Sequence, residues 1–255
     1  MTTDDEEAGR QMTGSAKGEC VIVADAQALA QEAAIWLTDE LLAIDGAVAV
    51  CLSGGSTPRQ LYRLLAESPH VEIFPWQRVH WFWGDERFVP HDDPRSNYRM
   101  VREAMLDRAP VPPANVHPIP TGAEGPDAAA AEYERELQRF YGATTLDAGR
   151  PLFAATILGL GEDGHTASLF PGSPTLAERT RWVAAVTGPV PEPRISLTYP
   201  ALESSSATAF LVSGSAKREI LGRVRRGEDL PAARLSPVGR LRWIVDRAAA
   251  GEAAA

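Results

Sequence analysis

The chain has 255 residues, of which 44% are hydrophobic and 23% charged, and its formal net charge at pH 7 is −9. This length and apolar content suffice for one large α/β domain with its own core, so folding needs no disulfide or structural metal. The negative charge argues against nucleic acid or an anionic membrane as a partner, because these attract stripes of Lys and Arg that the sequence lacks. An anionic small molecule would need a local cluster of positive charge.

The cysteines and the chain ends bear on location and domain boundaries. Cys20 and Cys51 do not form a disulfide framework or a metal-type spacing, which is typical of the reducing cytosol, and we expect a cytoplasmic location. Residues 1–19 are acidic and polar, without the apolar stretch of a signal peptide or membrane anchor. We expect a disordered leader at 1–19, a single domain at 20–247 and a frayed Ala-rich tail at 248–255.

Short apolar runs alternate along the chain with segments of helical periodicity. The predicted strands are residues 21–23, 47–52, 79–83, 153–158, 182–186, 195–198 and 208–212. The predicted helices include residues 28–44, 98–106 and 128–140, with shorter apolar patterns around Leu61 and Ile220. The alternation predicts a three-layer α/β/α fold, in which helices flank a mostly parallel, Rossmann-like sheet. Ligands of such sheets bind beyond the carboxyl ends of the strands, so the loops after the strands are the candidate sites.

The first such loop reads LSGGSTP and contains Gly54, Gly55, Ser56 and Thr57. Paired glycines let backbone N–H groups approach a ligand, and the following helix adds partial positive charge, so the loop is a candidate phosphate cradle. The alternative is a tight turn in which Ser56 or Thr57 caps the helix. The Gly-Lys-Ser/Thr ending of a Walker phosphate loop is missing.

The second loop reads WGDERFVP, and its three consecutive charges are as typical of a solvated turn as of a site. The guanidinium of Arg87 suits a phosphate dianion, and Asp85 and Glu86 could orient it or a substrate hydroxyl. Ser96 or Asn97 is expected to cap the next helix.

The third loop reads LGLGEDGHTASLFP, and its glycines match the G-x-G-x-x-G pattern of dinucleotide-binding turns. We reject that interpretation because two acidic residues would face the pyrophosphate and the match comes late in the chain. Asp163, two residues before His165, instead suits base catalysis, since a carboxylate can fix the tautomer of an imidazole. A solvent-exposed His is the alternative. A metal pair would lack a third ligand with recognisable spacing, and we predict no metal.

Two further basic residues are candidates for anion binding. Lys217, in the fourth loop, SGSAKR, is expected in the first turn of a helix, where the helix dipole disfavours a cation, so an anion nearby would explain it. An exposed lysine is the alternative. Arg194, before the strand at 195–198, is a candidate for substrate contact, or it neutralises a carboxylate at the end of the sheet.

Five segments, in order from about residue 21 to 246, resemble the 6-phosphogluconolactonase family. They read LSGGSTP, WGDERFVPHDDPRSN, LGLGEDGHTASLFPG, RISLTYPAL and VSGSAKREIL, and the third is the most specific. The resemblance implies the sheet fold that this family shares with glucosamine-6-phosphate deaminases. It also implies hydrolysis of 6-phospho-D-glucono-1,5-lactone in the oxidative pentose phosphate pathway, without a cofactor.

Carried over by motif position, the resemblance makes His165 the catalytic base, with Asp163 beside it. It assigns phosphate binding to the turn at 54–57, to Arg87 and to Lys217. The expected partner is therefore a small phosphorylated sugar lactone. Nothing in the sequence demands an interface between subunits, so a monomer is the default expectation.

Three other functions are weighed against this one. The deaminase pattern would place Tyr where Arg87 stands and a carboxylate where Phe170 stands. A sugar-phosphate sensor that regulates transcription would need a helix-turn-helix segment or a basic recognition patch, and neither is evident. A dehydrogenase would be stabilised by NAD, which a thermal shift would reveal.

Overall fold

The structure is a computed structural model that describes residues 11–12, 18–188 and 190–251. Its strands are β1 (Gln11–Met12), β2 (Glu19–Val23), β3 (Val48–Leu52), β4 (Val79–Trp83), β5 (Asp85–Arg87), β6 (Val116–His117), β7 (Phe153–Gly159), β8 (Val183–Val186), β9 (Arg194–Leu197), β10 (Ser205–Val212) and β11 (Arg240–Asp246). Its α-helices are α1 (Ala26–Leu42), α2 (Ser56–Leu65), α3 (His70–Ile73), α4 (Asn97–Val101), α5 (Pro126–Tyr141), α6 (Tyr199–Glu203), α7 (Arg218–Arg225), α8 (Pro231–Arg234) and α9 (Arg247–Ala250). Helix α4 continues as a π-helical turn over Arg102–Leu106.

The main sheet has the strand order β1-β2-β11-β10-β7-β3-β4-β6, and the strands from β2 to β6 run parallel. Its central strands are apolar throughout: all five residues of β3, VAVCL, are buried, as expected for a sheet covered on both faces. Helices flank the sheet, and α1 packs against β2, β11, β10 and β7. The predicted three-layer α/β/α fold is confirmed.

The position of the site follows from the order of these strands. After β3 the chain adds β4 and β6 on one side, and it then adds β7, β10 and β11 on the other. The sheet therefore reverses its direction of growth between β3 and β7. A crevice opens at such a switch point, beyond the carboxyl ends of the two strands.

A second, three-stranded sheet has the order β5-β9-β8 and is antiparallel. Gly84 joins it to the main sheet, since its N–H donates to the carbonyl of Leu52 and its carbonyl accepts from the N–H of Leu197, both at 2.8 Å. The predicted strands at 182–186 and 195–198 lie here. Their assignment to the main sheet was wrong, because the charged partner strand β5 reads as a turn.

Strand β11 was missed by the sequence analysis because Arg240 and Arg242 interrupt its apolar run. Arg242 is ion-paired with Glu19 at 2.7 Å and with Glu32 at 3.7 Å, so its charge is compensated near the amino end of β11. The apolar half of the strand, from Trp243 onward, is buried.

Short elements lie near both ends of the chain. Residues 11–12 pair antiparallel with β2, and β2 starts at Glu19, inside the expected leader; the rest of residues 1–17 lies outside the described residues. At the other end Arg247–Ala250 forms α9, because the Asp246 carboxylate caps it by accepting from the N–H of Ala249 at 2.8 Å. Residues 252–255 lie outside the described residues.

No helix in the described ranges is long and apolar enough to cross a membrane.

Helix α1 offers a test of local stability. The Asp25 carboxylate caps α1 by accepting from the N–H groups of Gln27 and Ala28, both at 2.9 Å. We expect Asp25→Ala to lower the free energy of unfolding by about 1 kcal/mol, because two N–H groups lose their acceptor. Asp39→Ala, which removes the same charge from the exposed face of the helix, is the control. Equal urea midpoints for the two variants would contradict the cap.

Candidate active site

A cleft of about 580 Å³ opens at the switch point of the main sheet. Its walls come from the loops after β3, β7 and β10 and from strands β5 and β9 of the small sheet. The cleft brings together all the site residues predicted from sequence, namely Gly54, Gly55, Ser56, Thr57, Asp85, Arg87, Asp163, His165, Arg194 and Lys217. All of these residues therefore lie in one cleft, while the role of each stays a prediction.

The imidazole of His165 is oriented by Asp163. Its Nδ1 lies 2.5 Å from Asp163 Oδ1, and the same oxygen accepts from the His165 backbone N–H at 3.1 Å. Hydrogen bonding at Nδ1 leaves Nε2 as the atom that can accept a proton. A third of the His165 side chain is exposed, and the ring contacts Phe170 with centroids 4.8 Å apart.

The charge of the Asp163 carboxylate is stabilised locally. Partial burial raises the pKa of Asp163, but the hydrogen bonds from His165 and the positive charge that His165 can carry outweigh it. The pKa of Asp163 is therefore below its ordinary value, and the group is ionised at neutral pH. An ionised carboxylate holds the Nδ1–H tautomer and stabilises an imidazolium.

Glycines shape the turn that carries this pair. A Cβ on Gly161 would lie 2.1 Å from Nδ1 of His165, so only glycine leaves room for the ring. Gly164 has a φ of +86°, in the left-handed region that glycine favours. The turn closes through the N–H of Gly161, which donates to the His165 carbonyl at 2.8 Å.

Arg87 and Arg194 face each other across the small sheet, as register partners on β5 and β9. Among the described residues neither guanidinium has a carboxylate within ion-pair distance, and the buried Nε of each has no acceptor. Burial lowers the pKa of Arg194 and the charge of Arg87 lowers it further, while nearby carboxylates, Asp85 among them, offset part of this. The pair is thus a positive centre at the cleft without a directly bound counter-charge.

Lys217 adds a third positive charge at the opposite wall. It ends a short 3-10 turn immediately before α7, so its predicted place inside the first helical turn was wrong by one residue. Its ammonium lies 3.9 Å from the carboxylate of Glu162, which is 75% exposed. The loop after β10, which carries Lys217, is fixed by Asp246. The Asp246 carboxylate accepts from Ser213 Oγ at 2.5 Å and from the Gly214 N–H at 3.0 Å.

The glycine loop after β3 presents the N-terminus of α2 to the cleft. Gly55 is the N-cap with a φ of +108°, and no side chain caps the helix, so the alternative of a cap by Ser56 or Thr57 is wrong. A Cβ on Gly54 would lie 1.9 Å from Oδ1 of Asn97. The glycine is therefore required by the close approach of Asn97.

The two acids after β4, Asp85 and Glu86, connect neighbouring elements of the fold through hydrogen bonds. The buried Glu86 carboxylate accepts from Ser96 Oγ and from the N–H groups of Asn97 and Tyr98 at the start of α4. Burial raises the pKa of Glu86, and these hydrogen bonds offset part of the rise. Asp85, also buried, accepts from Ser168 Oγ at 2.6 Å. Ser96 is the N-cap of α4, one of the two caps predicted.

No group of three or more His, Cys, Asp and Glu side chains within the described ranges is placed to hold a metal ion.

Comparison with known proteins gives the family. Residues 24–243 match the family model described as glucosamine-6-phosphate isomerases/6-phosphogluconolactonase. The chain belongs to this family. It is 39% identical over 236 residues to a 6-phosphogluconolactonase of Synechocystis, covering 89% of this chain and 95% of that one. It is also 39% identical over 218 residues to a Nostoc protein of the same name, covering 84% and 88%.

A solved structure supports the likeness of the fold. The crystal structure of 6-phosphogluconolactonase from Thermotoga maritima is 31% identical, matches with a TM-score of 0.75, and covers 89% of this chain and 98% of that one.

Several residues that line the cleft of this family member were not predicted from sequence as site residues. Asn97 donates to the Asp85 carbonyl at 3.0 Å, and Ser168 and Phe170 follow His165 in the same loop. Leu160 and Val190 supply apolar wall. The residues after His165 could have been predicted as site residues, because they belong to LGLGEDGHTASLFPG, the most specific of the family-like segments. Asn97 was interpreted only as a helix cap.

The contact between Gly161 and His165 can be tested directly. We expect Gly161→Ala to displace the imidazole and break the hydrogen bond between Nδ1 and Asp163, because the added Cβ overlaps the ring. Gly159→Ala, two residues earlier at the end of β7, is the matched control, since its Cβ would meet nothing within 4 Å. Imidazole 15N NMR spectra report the Nδ1 bond. An unchanged His165 signal in Gly161→Ala would refute this geometry.

Proposed function

We propose that the protein hydrolyses 6-phospho-D-glucono-1,5-lactone to 6-phospho-D-gluconate in the oxidative pentose phosphate pathway. The observation that carries the proposal is that one cleft combines a carboxylate-oriented imidazole with two arginines that have no carboxylate ion pair among the described residues. The imidazole suits the activation of water, and the arginines suit a phosphate dianion. The names of the relatives support the same substrate.

In the proposed first step neutral His165 is the general base. Its Nε2 takes a proton from a water molecule as the water oxygen attacks C1 of the lactone, and the C1 carbonyl becomes a tetrahedral oxyanion. Asp163 holds Nδ1–H and stabilises the imidazolium that forms. Backbone N–H groups of a glycine turn stabilise the oxyanion.

In the second step the tetrahedral intermediate collapses. The bond between C1 and the ring oxygen breaks, and the ring oxygen takes the proton from Nε2 and becomes a hydroxyl group. His165 returns to its neutral form and the new carboxylic acid ionises in water. The sum is one lactone and one water converted to one hydroxy acid, so the reaction requires no electron transfer and no cofactor.

The phosphate is proposed to lie among Arg87, Arg194 and Lys217, near the N-terminus of α2. An arginine can offer two parallel hydrogen bonds to phosphate oxygens, and the helix N-terminus adds unpaired N–H groups. A deaminase would need a carboxylate at position 170. Here Phe170 packs against the His165 ring, which supports the lactonase.

We also propose that the chain works in the cytoplasm as a monomeric, single-domain enzyme. Cys20 and Cys51 are both buried and neither is in a disulfide, which is compatible with a reducing compartment. The described residues of one chain supply every group that the proposed mechanism uses.

The decisive experiment is a coupled assay with freshly generated lactone. NADP-dependent oxidation of the released 6-phosphogluconate is followed at 340 nm, after the spontaneous hydrolysis is subtracted. We expect His165→Ala to fold normally and kcat to fall roughly 10²- to 10⁴-fold, because general base catalysis is lost. His70→Ala, outside the cleft, is the control. Near wild-type turnover of His165→Ala would refute the mechanism, and ammonia release from glucosamine 6-phosphate would indicate the deaminase.

Phosphate recognition makes a separate prediction. Arg87→Ala and Lys217→Ala should each raise KM for the phosphorylated lactone roughly 10- to 100-fold, because a charge-assisted hydrogen bond contributes about 1.5–3 kcal/mol. The KM for unphosphorylated glucono-1,5-lactone should change little. Arg108→Ala, an exposed arginine outside the cleft, controls for the loss of net charge. If both substrates were affected equally, these residues would not be binding phosphate.

A further inference from the structure

The small sheet holds the loop of His165 as well as the phosphate-binding arginines. Ser168, three residues after His165, is 1% exposed and is bonded twice to this sheet. Its Oγ donates to Asp85 Oδ2 on β5 at 2.6 Å, and its N–H donates to Ser196 Oγ on β9 at 3.2 Å. The catalytic loop is thus anchored to both of the strands that carry arginines.

The register of these strands places the anchors beside the arginines. Asp85 pairs with Ser196, and two residues further on Arg87 pairs with Arg194. Side chains two residues apart on a strand project from the same face. The face of the β5–β9 ribbon that presents the two guanidinium groups therefore also holds Ser168.

The loop between Ser168 and His165 is suited to transmit a displacement. Ala167 has a φ of +47°, a left-handed conformation that alanine rarely adopts. Thr166 and Leu169 close the turn around it, with the N–H of Leu169 donating to the Thr166 carbonyl at 2.9 Å. A backbone held in this conformation depends on its anchors, and a shift of Ser168 moves the segment that begins at His165.

We propose that the hydrogen bond between Ser168 and Asp85 couples occupation of the phosphate site to the position of the His165 imidazole, so that Ser168 is a positioning residue. The inference rests on the proposed function. In the empty cleft the like charges of Arg87 and Arg194 repel each other across the ribbon. A dianion between them removes the repulsion, and the resulting shift of β5 and β9 reaches the catalytic loop through Ser168. The binding energy of the phosphate, which is remote from the reacting carbon, is thereby used to position the base beside that carbon.

The test separates the phosphate from the lactone. Wild-type enzyme and Ser168→Ala are assayed with unphosphorylated glucono-1,5-lactone, with and without phosphite dianion as the detached phosphate. We expect phosphite to raise kcat/KM of the wild type at least about tenfold and that of Ser168→Ala less than about twofold. With the phosphorylated lactone, Ser168→Ala should lose roughly 10- to 100-fold in kcat at nearly unchanged KM, because the base is misplaced while the arginines still bind.

Ser205→Ala is the matched control. Ser205 is also fully buried, and its Oγ makes a single bond, to the Ala207 carbonyl at 2.9 Å, away from the cleft. Thermal unfolding checks that the variants fold. If Ser168→Ala does not fold, Ser168→Cys, which keeps a similar shape but offers Asp85 only a weak thiol donor, takes its place with the same expected results.

A second readout does not depend on activity. Phosphite should slow amide hydrogen exchange of residues 165–169 in the wild type and in Ser205→Ala, but not in Ser168→Ala. The coupling is refuted if phosphite activates or protects Ser168→Ala as strongly as the wild type, or if it affects neither. A wild type that hydrolyses no lactone would instead refute the proposed function, and the exchange measurement would still decide whether the two sites are coupled.

Discussion

The register of the β5–β9 ribbon imposes the constraint on which the site depends, because it sets Arg87 opposite Arg194. Like charges directly opposite each other destabilise an antiparallel pair. The ribbon is held in place nevertheless by contacts on its other residues. Glu86 binds the start of α4 through backbone N–H groups, and Gly84 connects the ribbon to the main sheet. The unfavourable pair is thus kept in the wall of the cleft, where a bound anion would relieve the repulsion.

Much of the fold could be predicted from sequence because its signals are local. Continuous apolar runs marked the buried parallel strands, and the strand-end loops followed from them. Strand β11 was not found, since the ion pairs that compensate Arg242 come from Glu19 and Glu32, more than 200 residues away in sequence. The separate antiparallel sheet was missed for a related reason. Asp85 to Arg87 read as a solvated turn, and only tertiary contacts make them a strand.

The chemistry of the site was predictable to a similar extent. The spacing of Asp163 and His165 predicted their contact, because two residues in a glycine turn can close a local hydrogen bond. The hydrogen bond of Ser168 to Asp85 joins residues 83 positions apart in sequence, and no local sequence pattern predicts it. The requirement for glycine at position 54 likewise comes from Asn97, on a different element. Residues that position others are harder to predict than residues that react, because their partners are fixed only by the fold.

The cleft gathers Arg87, Arg194 and Lys217 in a protein whose net charge is −9, and this contrast bears on selectivity. Its three carboxylates are already engaged, since Asp85 is bound by Ser168, Asp163 by His165, and Glu162 lies beside Lys217. The two arginines have no such partner among the described residues. At physiological ionic strength charges act over about 8 Å, so an anion inside the cleft is governed by the nearest cations and not by the distant acids. An anion elsewhere on the surface meets mostly negative charge. Under the proposed function, the same distribution that attracts a phosphate into the cleft disfavours its binding outside it, and a ligand without a phosphate gains little from either effect.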